Sequence, residues 1–139
     1  MKPVNHIKIM KAMSVNELVK QMEATGILGA GRLGKAVNIL EAMIKDKDSK
    51  VFIGLAGPLV PAGMREIIIG LIENKWVDVV VTTGATLTHD LGEALGYRHY
   101  QGSADANDAE LHKKGFDRIY ESYMPNNIYE GMEDFIAKN

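Results

Sequence analysis

The sequence predicts an α/β fold, a parallel sheet layered with helices and incomplete within this chain. Apolar residues recur at helical spacing in several separate stretches, and two short β-branched runs lie among them. The order helix, helix, strand, helix, strand, helix suits parallel strands joined by crossover helices. Only Val51–Ala56 and Val77–Val81 read clearly as strands. Two strands make a poor sheet, so either the pattern hides further strands or part of the fold lies outside this chain.

Each element has a local reason. Residues 1–13 carry scattered lysines and read as extended. Ser14 and Glu17 have the spacing of a capping box, which opens a helix by satisfying its first free N–H groups. That helix sets Val15, Leu18, Val19 and Met22 on one face and stops near Gly26. A second helix is expected from Ala30 to Lys45, with Leu33, Val37, Leu40 and Ile44 inward. The polar turn Asp46–Lys50 leads to the first strand, which Gly57 and Pro58 end. Pro61–Glu73 is the next helix, with Met64, Ile67, Ile68 and Leu71 inward. The valine run 77–81 fits a strand covered on both faces. Leu87–Leu95 is helical, with Gly96 as its cap. Asn107–Glu110 repeats the capping pattern, Phe116–Tyr123 reads as helix or irregular, and Pro125 starts a final helix.

Composition narrows the function classes. The chain has 139 residues, a formal net charge of −2 and no cysteine. No basic patch favours nucleic acid or an anionic membrane. Without cysteine there is no disulfide, thiolate nucleophile or cysteine-ligated metal. No apolar run reaches the ~18 residues that span a bilayer, and the N-terminus lacks the continuous apolar core of a signal peptide. A cytoplasmic protein without nucleic-acid or membrane partners is the expectation. No metal site is expected, because the pattern shows no H-x-x-x-H and no histidine–carboxylate cluster; His99 and His112, in polar company without ligand spacing, read as surface residues.

Three small-residue motifs compete as a ligand site. Gly29-Ala30-Gly31-Arg32-Leu33-Gly34 spells G-x-G-x-x-G. A helix precedes it, whereas a dinucleotide fingerprint needs a strand to deliver its glycines to the sheet edge. It reads instead as a flexible helix–helix turn. Gly57, Pro58, Leu59, Val60 and Pro61 follow the first strand, where open α/β sheets bind ligands. Pro58 and Pro61 remove two N–H donors, so a rigid turn without ligand stands beside the binding reading. Thr82–Asp90 follows the second strand and offers hydroxyl and backbone groups to a ribose or phosphate. Thr88 and Asp90 are equally able to cap the helix there, and His89 alone reads as a solvent-facing helix residue. Arg65 and Glu66 read as a local ion pair of little consequence. The five tyrosines in the last third read as core, rim or pocket residues.

Phe52 to Asp90 resembles deoxyhypusine synthase. The matching blocks are Ala62-Gly63-Met64-Arg65-Glu66-Ile67-Ile68, the run from Leu71 through Trp76 and Val81 to Gly84, and Asp90-Leu91. Thr25-Gly26 to Val37, Gly115 to Tyr120, Pro125-Asn126 and Tyr129 to Phe135 also resemble family segments in the right order. The resemblance implies that residues 1–139 are the N-terminal half of a Rossmann-like NAD-binding domain. It implies NAD-dependent transfer of the aminobutyl group of spermidine to a lysine of a translation initiation factor. Gly57, Pro58, Leu59, Val60 and Pro61 then fall on one NAD-contacting loop, and Thr83, Gly84 and Ala85 on a second. Thr88 and His89 stand where the family usually carries two acids facing diamine and cofactor. No lysine here matches the family's catalytic lysine, so no catalytic residue is assigned. The resemblance further implies a second polypeptide supplying the C-terminal half, within a homo- or hetero-oligomer of tetramer type. A homospermidine-type synthase acting on a small amine, a non-catalytic regulatory subunit and a stand-alone nucleotide-binding module are the alternatives.

Overall fold

The computed structural model describes residues 1–139, which form two units, Met1–Val51 and Phe52–Asn139.

In the first unit, an extended segment leads into helices α1 (Val15–Thr25) and α2 (Leu28–Lys45). The capping box forms as expected. The Ser14 hydroxyl accepts from the Glu17 amide, and the Glu17 carboxylate accepts from the Ser14 backbone N–H at 2.7 Å. Gly26 ends α1 in the left-handed region at φ 71°, where glycine carries no Cβ penalty. Asn5 Nδ2 donates to the Ala24 carbonyl and Lys8 N–H to Gln21 Oε1, tying the extended segment to α1.

The G-x-G-x-x-G run lies inside α2 and is not a flexible turn. Gly31 and Gly34 are buried. A Cβ on Gly31 would sit 2.8 Å from the Gly26 carbonyl carbon, and one on Gly34 would strike the Glu23 Cβ and backbone. The glycines let two helices approach closely. A second correction follows from the same packing: the stripe Leu33, Val37, Leu40 and Ile44 faces outward, because α2 meets α1 through its glycine face.

The second unit holds two sheets. β1 (Phe52–Gly54) and β2 (Val79–Val81) pair in parallel. The chain between them passes through a tight turn at Gly57–Leu59, a wider helical turn at Val60–Met64 and helix α3 (Arg65–Glu73). Pro61 therefore does not begin one continuous helix. Gly63, at φ 82°, breaks the turn from α3. Helix α4 (Gly84–Ala94) starts three residues before the expected Leu87, capped by Thr83.

The remaining strands are antiparallel, contrary to the all-parallel expectation. β3 (Tyr100–Gln101) and β4 (Phe116–Ile119) flank β5 (Ser122–Pro125), with α5 (Asp108–Lys113) between β3 and β4 and α6 (Asn127–Lys138) last. The segment 116–123 read as helix or irregular is thus a hairpin, and Pro125 ends a strand rather than starting a helix. Its turn places Tyr120 at φ 51°, a conformation the hydrophobic pattern does not reveal. Packing centres on Val60, Met124 and the fully buried Ile128. Gly92 lets α4 approach Ile128 of α6, since a Cβ there would collide with the isoleucine side chain.

The valine strand is also not covered on both faces. Val79, Val80 and Val81 are exposed, as is Phe52 at 65%. No helix in the chain is long and apolar enough to cross a membrane.

Gly31→Ala should destabilise the chain by about 1–3 kcal/mol, the usual cost of overpacking. Gly29→Ala, whose Cβ would meet open space, should be neutral or stabilising by up to about 1 kcal/mol. Urea unfolding of the two variants checks this, and equal stabilities would contradict the close-approach role of Gly31.

Candidate functional site at the strand ends

The candidate site begins with strand register. Phe52 pairs with Val79, Ile53 with Val80 and Gly54 with Val81, so the carboxyl ends of β1 and β2 lie level. Leu55 N–H extends the ladder to the Val81 carbonyl at 2.9 Å. The two turns that leave these ends then meet. A Cβ on Gly57 would lie 2.9 Å from Ala85 Cβ, so only glycine allows the first turn to rest on the start of α4. The buried Thr86 hydroxyl donates to the Ala56 carbonyl at 3.1 Å. The Thr83 hydroxyl caps α4 by accepting from Thr86 N–H at 3.4 Å. Thr83 thus takes the capping role considered for Thr88 and Asp90.

The structure therefore brings Gly57–Pro61 and Thr83–Ala85 together within residues 52–139. Their side chains have different fates. Val60 is buried in the core, and the Pro61 carbonyl accepts from Ser122 Oγ at 3.1 Å. Gly84 faces open space. Thr88 Oγ1 donates back to the Gly84 carbonyl at 2.9 Å. Asp90 accepts from Arg65 Nε at 2.8 Å, joining α3 to α4; Arg65 also reaches Glu66 at 3.4 Å. The Arg65 contact is therefore more than a local pair, and the Asp90 hydrogen bond raises the guanidinium pKa further.

A cleft of about 500 Å³ opens beside the first turn, lined by Pro58, Pro61, Glu93, His99, Tyr120 and Glu121 among others. Pattern reading of the sequence missed Glu93, His99, Glu121 and Ser122. The His89–Glu93 spacing of four residues, which puts both on one helix face, was the available signal for Glu93.

His89 is not a solvent-facing residue: it is 8% exposed. His99 is not on the surface either, with its side chain 8% exposed. His89 Nδ1 and His99 Nε2 are 3.0 Å apart, and His99 Nδ1 lies 2.9 Å from Glu93 Oε1. Glu93 Oε1 also accepts from His99 N–H at 3.1 Å, while Oε2 accepts from Arg98 Nη1 at 2.9 Å. Burial, with a smaller contribution from His99, lowers the His89 pKa below the ordinary histidine value. For Glu93, burial works upward, but the hydrogen bonds from His99 and Arg98 together outweigh it and hold the carboxyl below its usual range.

Comparison with known proteins gives one family. The family model "Deoxyhypusine synthase" matches residues 17–139. A protein named "Probable deoxyhypusine synthase" from Methanosarcina thermophila is 46% identical over 134 residues, covering 96% of this chain and 42% of its own length. The similarly named protein of Methanothermobacter thermautotrophicus is 43% identical over 130 residues, covering 94% and 42% respectively. The chain thus spans well under half the length of these relatives. A solved structure from Entamoeba histolytica, described as a "putative deoxyhypusine synthase", overlaps 78% of this chain and 44% of its own at 23% identity. Its TM-score is 0.49, too slight a likeness to carry an argument.

The two pKa shifts act in the same direction on stability. Folded His89 gives up its proton more readily than the unfolded residue, so the unfolded state binds more protons once pH falls below about 6.5. Stability then declines as pH falls toward the folded pKa. Glu93 adds a further loss in the carboxylate range, since its depressed pKa stabilises the fold only while the group is ionised. The urea midpoint should therefore drop between pH 7 and 5. The slope from His89 should not exceed about 1.4 kcal/mol per pH unit, the limit for one proton. His89→Gln should remove that component; an unchanged slope in this variant would contradict the assignment.

Proposed function

The chain belongs to the deoxyhypusine synthase family, and from that premise we propose that it supplies the NAD-binding strand ends of an aminobutyl transferase. In the full reaction NAD takes hydride from spermidine, and the aminobutyl group passes to a lysine of a translation initiation factor. The observation that carries this reading is the meeting of Gly57–Pro61 with Thr83–Ala85 at level parallel strand ends. This is the position where α/β sheets accept nucleotides. Glycine at position 57 lets the two turns close on each other, and open space at Gly84 suits a pyrophosphate or ribose lying against the chain. A cytoplasmic location and an oligomer of tetramer type belong to the same reading.

In this proposal the sheet becomes a Rossmann-like one only when strands from the remainder of the relatives' length join β1 and β2. Support comes from the exposed Phe52, Val79, Val80 and Val81 on the two-stranded pair, together with the 42% share of the relatives that the chain spans. The remaining part would also carry the catalytic lysine. Alone, the chain should assemble or aggregate and bind a hydrophobic dye. A stable, dye-negative monomer in sedimentation would contradict the proposal.

A second reading, a homospermidine-type synthase acting on a small amine, is favoured by Thr88 and His89. Neither neutral side chain supplies the fixed negative charge that holds a polyammonium, and the Thr88 hydroxyl is engaged by its own helix. Spermidine alone against spermidine plus initiation factor, compared as substrates of the assembled protein, separates the two.

Gly84→Val tests cofactor placement, since a Cβ there meets nothing within 4 Å and the side chain would fill the space open to a ligand. It should weaken NAD binding by at least about tenfold, or ~1.4 kcal/mol, in calorimetry of the assembled protein. Wild-type affinity in this variant would remove the second turn from the site.

A further inference from the structure

Glu93, His99 and His89 form one hydrogen-bonded chain, and proton accounting gives it a direction. The Glu93 carboxylate accepts only. Its Oε1 is 2.9 Å from His99 Nδ1, so that nitrogen carries the proton. A neutral imidazole protonated there has its lone pair at Nε2. His99 Nε2 is 3.0 Å from His89 Nδ1, so His89 Nδ1 must be the donor of that bond. The lone pair of neutral His89 is then at Nε2. Arg98, which donates to the other Glu93 oxygen, keeps the carboxylate ionised and the order of donors fixed.

We infer that Glu93 and His99 are positioning residues, which hold His89 in the tautomer whose Nε2 is a free base for a cationic amine. The amine as proton source rests on the proposed function; the tautomer rests on the geometry alone. His89 lies one helical turn beyond Ala85 and Thr86 on the same face of α4, the face that meets the Ala56–Gly57 turn.

The step is a proton transfer. An N–H bond forms at His89 Nε2 as an N–H bond of the ammonium breaks. The electron pair of that bond stays on the amine nitrogen, which becomes neutral, and His89 becomes an imidazolium. A buried imidazolium is costly alone, and the lowered pKa of His89 reflects that cost. The Nδ1–H bond to His99 offers relief. The His89 Nδ1–H bond can break as an N–H bond forms at His99 Nε2, leaving His89 neutral with its proton at Nε2 and the positive charge on His99, whose Nδ1–H faces the Glu93 carboxylate. Asp90, next along α4, holds Arg65, and Glu121, which lines the cleft with Glu93 and His99, is exposed.

Long-range ¹H–¹⁵N correlation spectroscopy of the full chain, labelled at histidine and held near neutral pH, tests the inference. The expected result is a single tautomer for each ring, His99 protonated at Nδ1 and His89 at Nδ1. His89 protonated at Nε2, or either ring as a mixture, would overturn it. In His99→Phe, which keeps a ring but no nitrogen, His89 should lose its single-tautomer signature. If that variant does not fold, Glu93→Gln decides. Its amide can turn a donor toward His99, and the single tautomers of both rings should be lost or reversed. Retention of both tautomers would overturn the inference. NAD titration of the same samples separates this from the function: tautomers as expected without NAD binding by the assembled protein would leave the relay standing and remove the proposed function.

Discussion

The parallel register of β1 and β2 is the constraint on which the candidate site depends. Three residue pairs set it, and a slip of one residue would turn every side chain over and put the strand ends out of level. With the ends level, the Gly57 turn can rest on Ala85 and the Thr86 hydroxyl can reach the Ala56 carbonyl. That contact fixes the start of α4. The helix in turn sets His89 and Glu93 on one face and places Gly92 against Ile128 of α6. A small buried core of Val60, Met124 and Ile128 then suffices to join sheet, turns and terminal helix.

Much of this was legible in the residues. Ser14 and Glu17 announced α1 because a capping box is a local device whose partners are three residues apart. The rejection of Gly29–Gly34 as a phosphate cradle followed from the absence of a preceding strand, and those glycines do lie in a helix. The two turns after Val51–Ala56 and Val77–Val81 were placed correctly because small residues directly after β-branched runs mark strand ends. The hairpin of β4 and β5 was not legible. Its strands alternate weakly, and its turn uses Tyr120 at positive φ, not the Asn-Gly or Asp-Gly pair that signals a tight hairpin. The partnership of His89 and His99 was hidden for another reason. Nine residues lie between them; the chain leaves α4 after Ala94 and reaches His99 just before β3, and no periodicity spans such a change of element.

Apolar patterning announced where side chains are interchangeable with a core, not whether this chain contains that core. Val79 to Val81 has the composition of a fully covered strand but stands exposed. The outward stripe on α2 makes the same point from the other side: Leu33, Val37, Leu40 and Ile44 recur at helical spacing, yet the buried contact of that helix is made by Gly31 and Gly34.

The first turn is moored at both ends by hydroxyl groups, Thr86 to the Ala56 carbonyl and Ser122 to the Pro61 carbonyl. Neither hydroxyl changes charge in any pH range a protein survives. The imidazole of His89 sits beside this mooring and can take up a proton. The chain thus separates a chemically responsive wall from a floor that is indifferent to acidity. Protons can be exchanged there while the bed on which a ligand would rest keeps its shape.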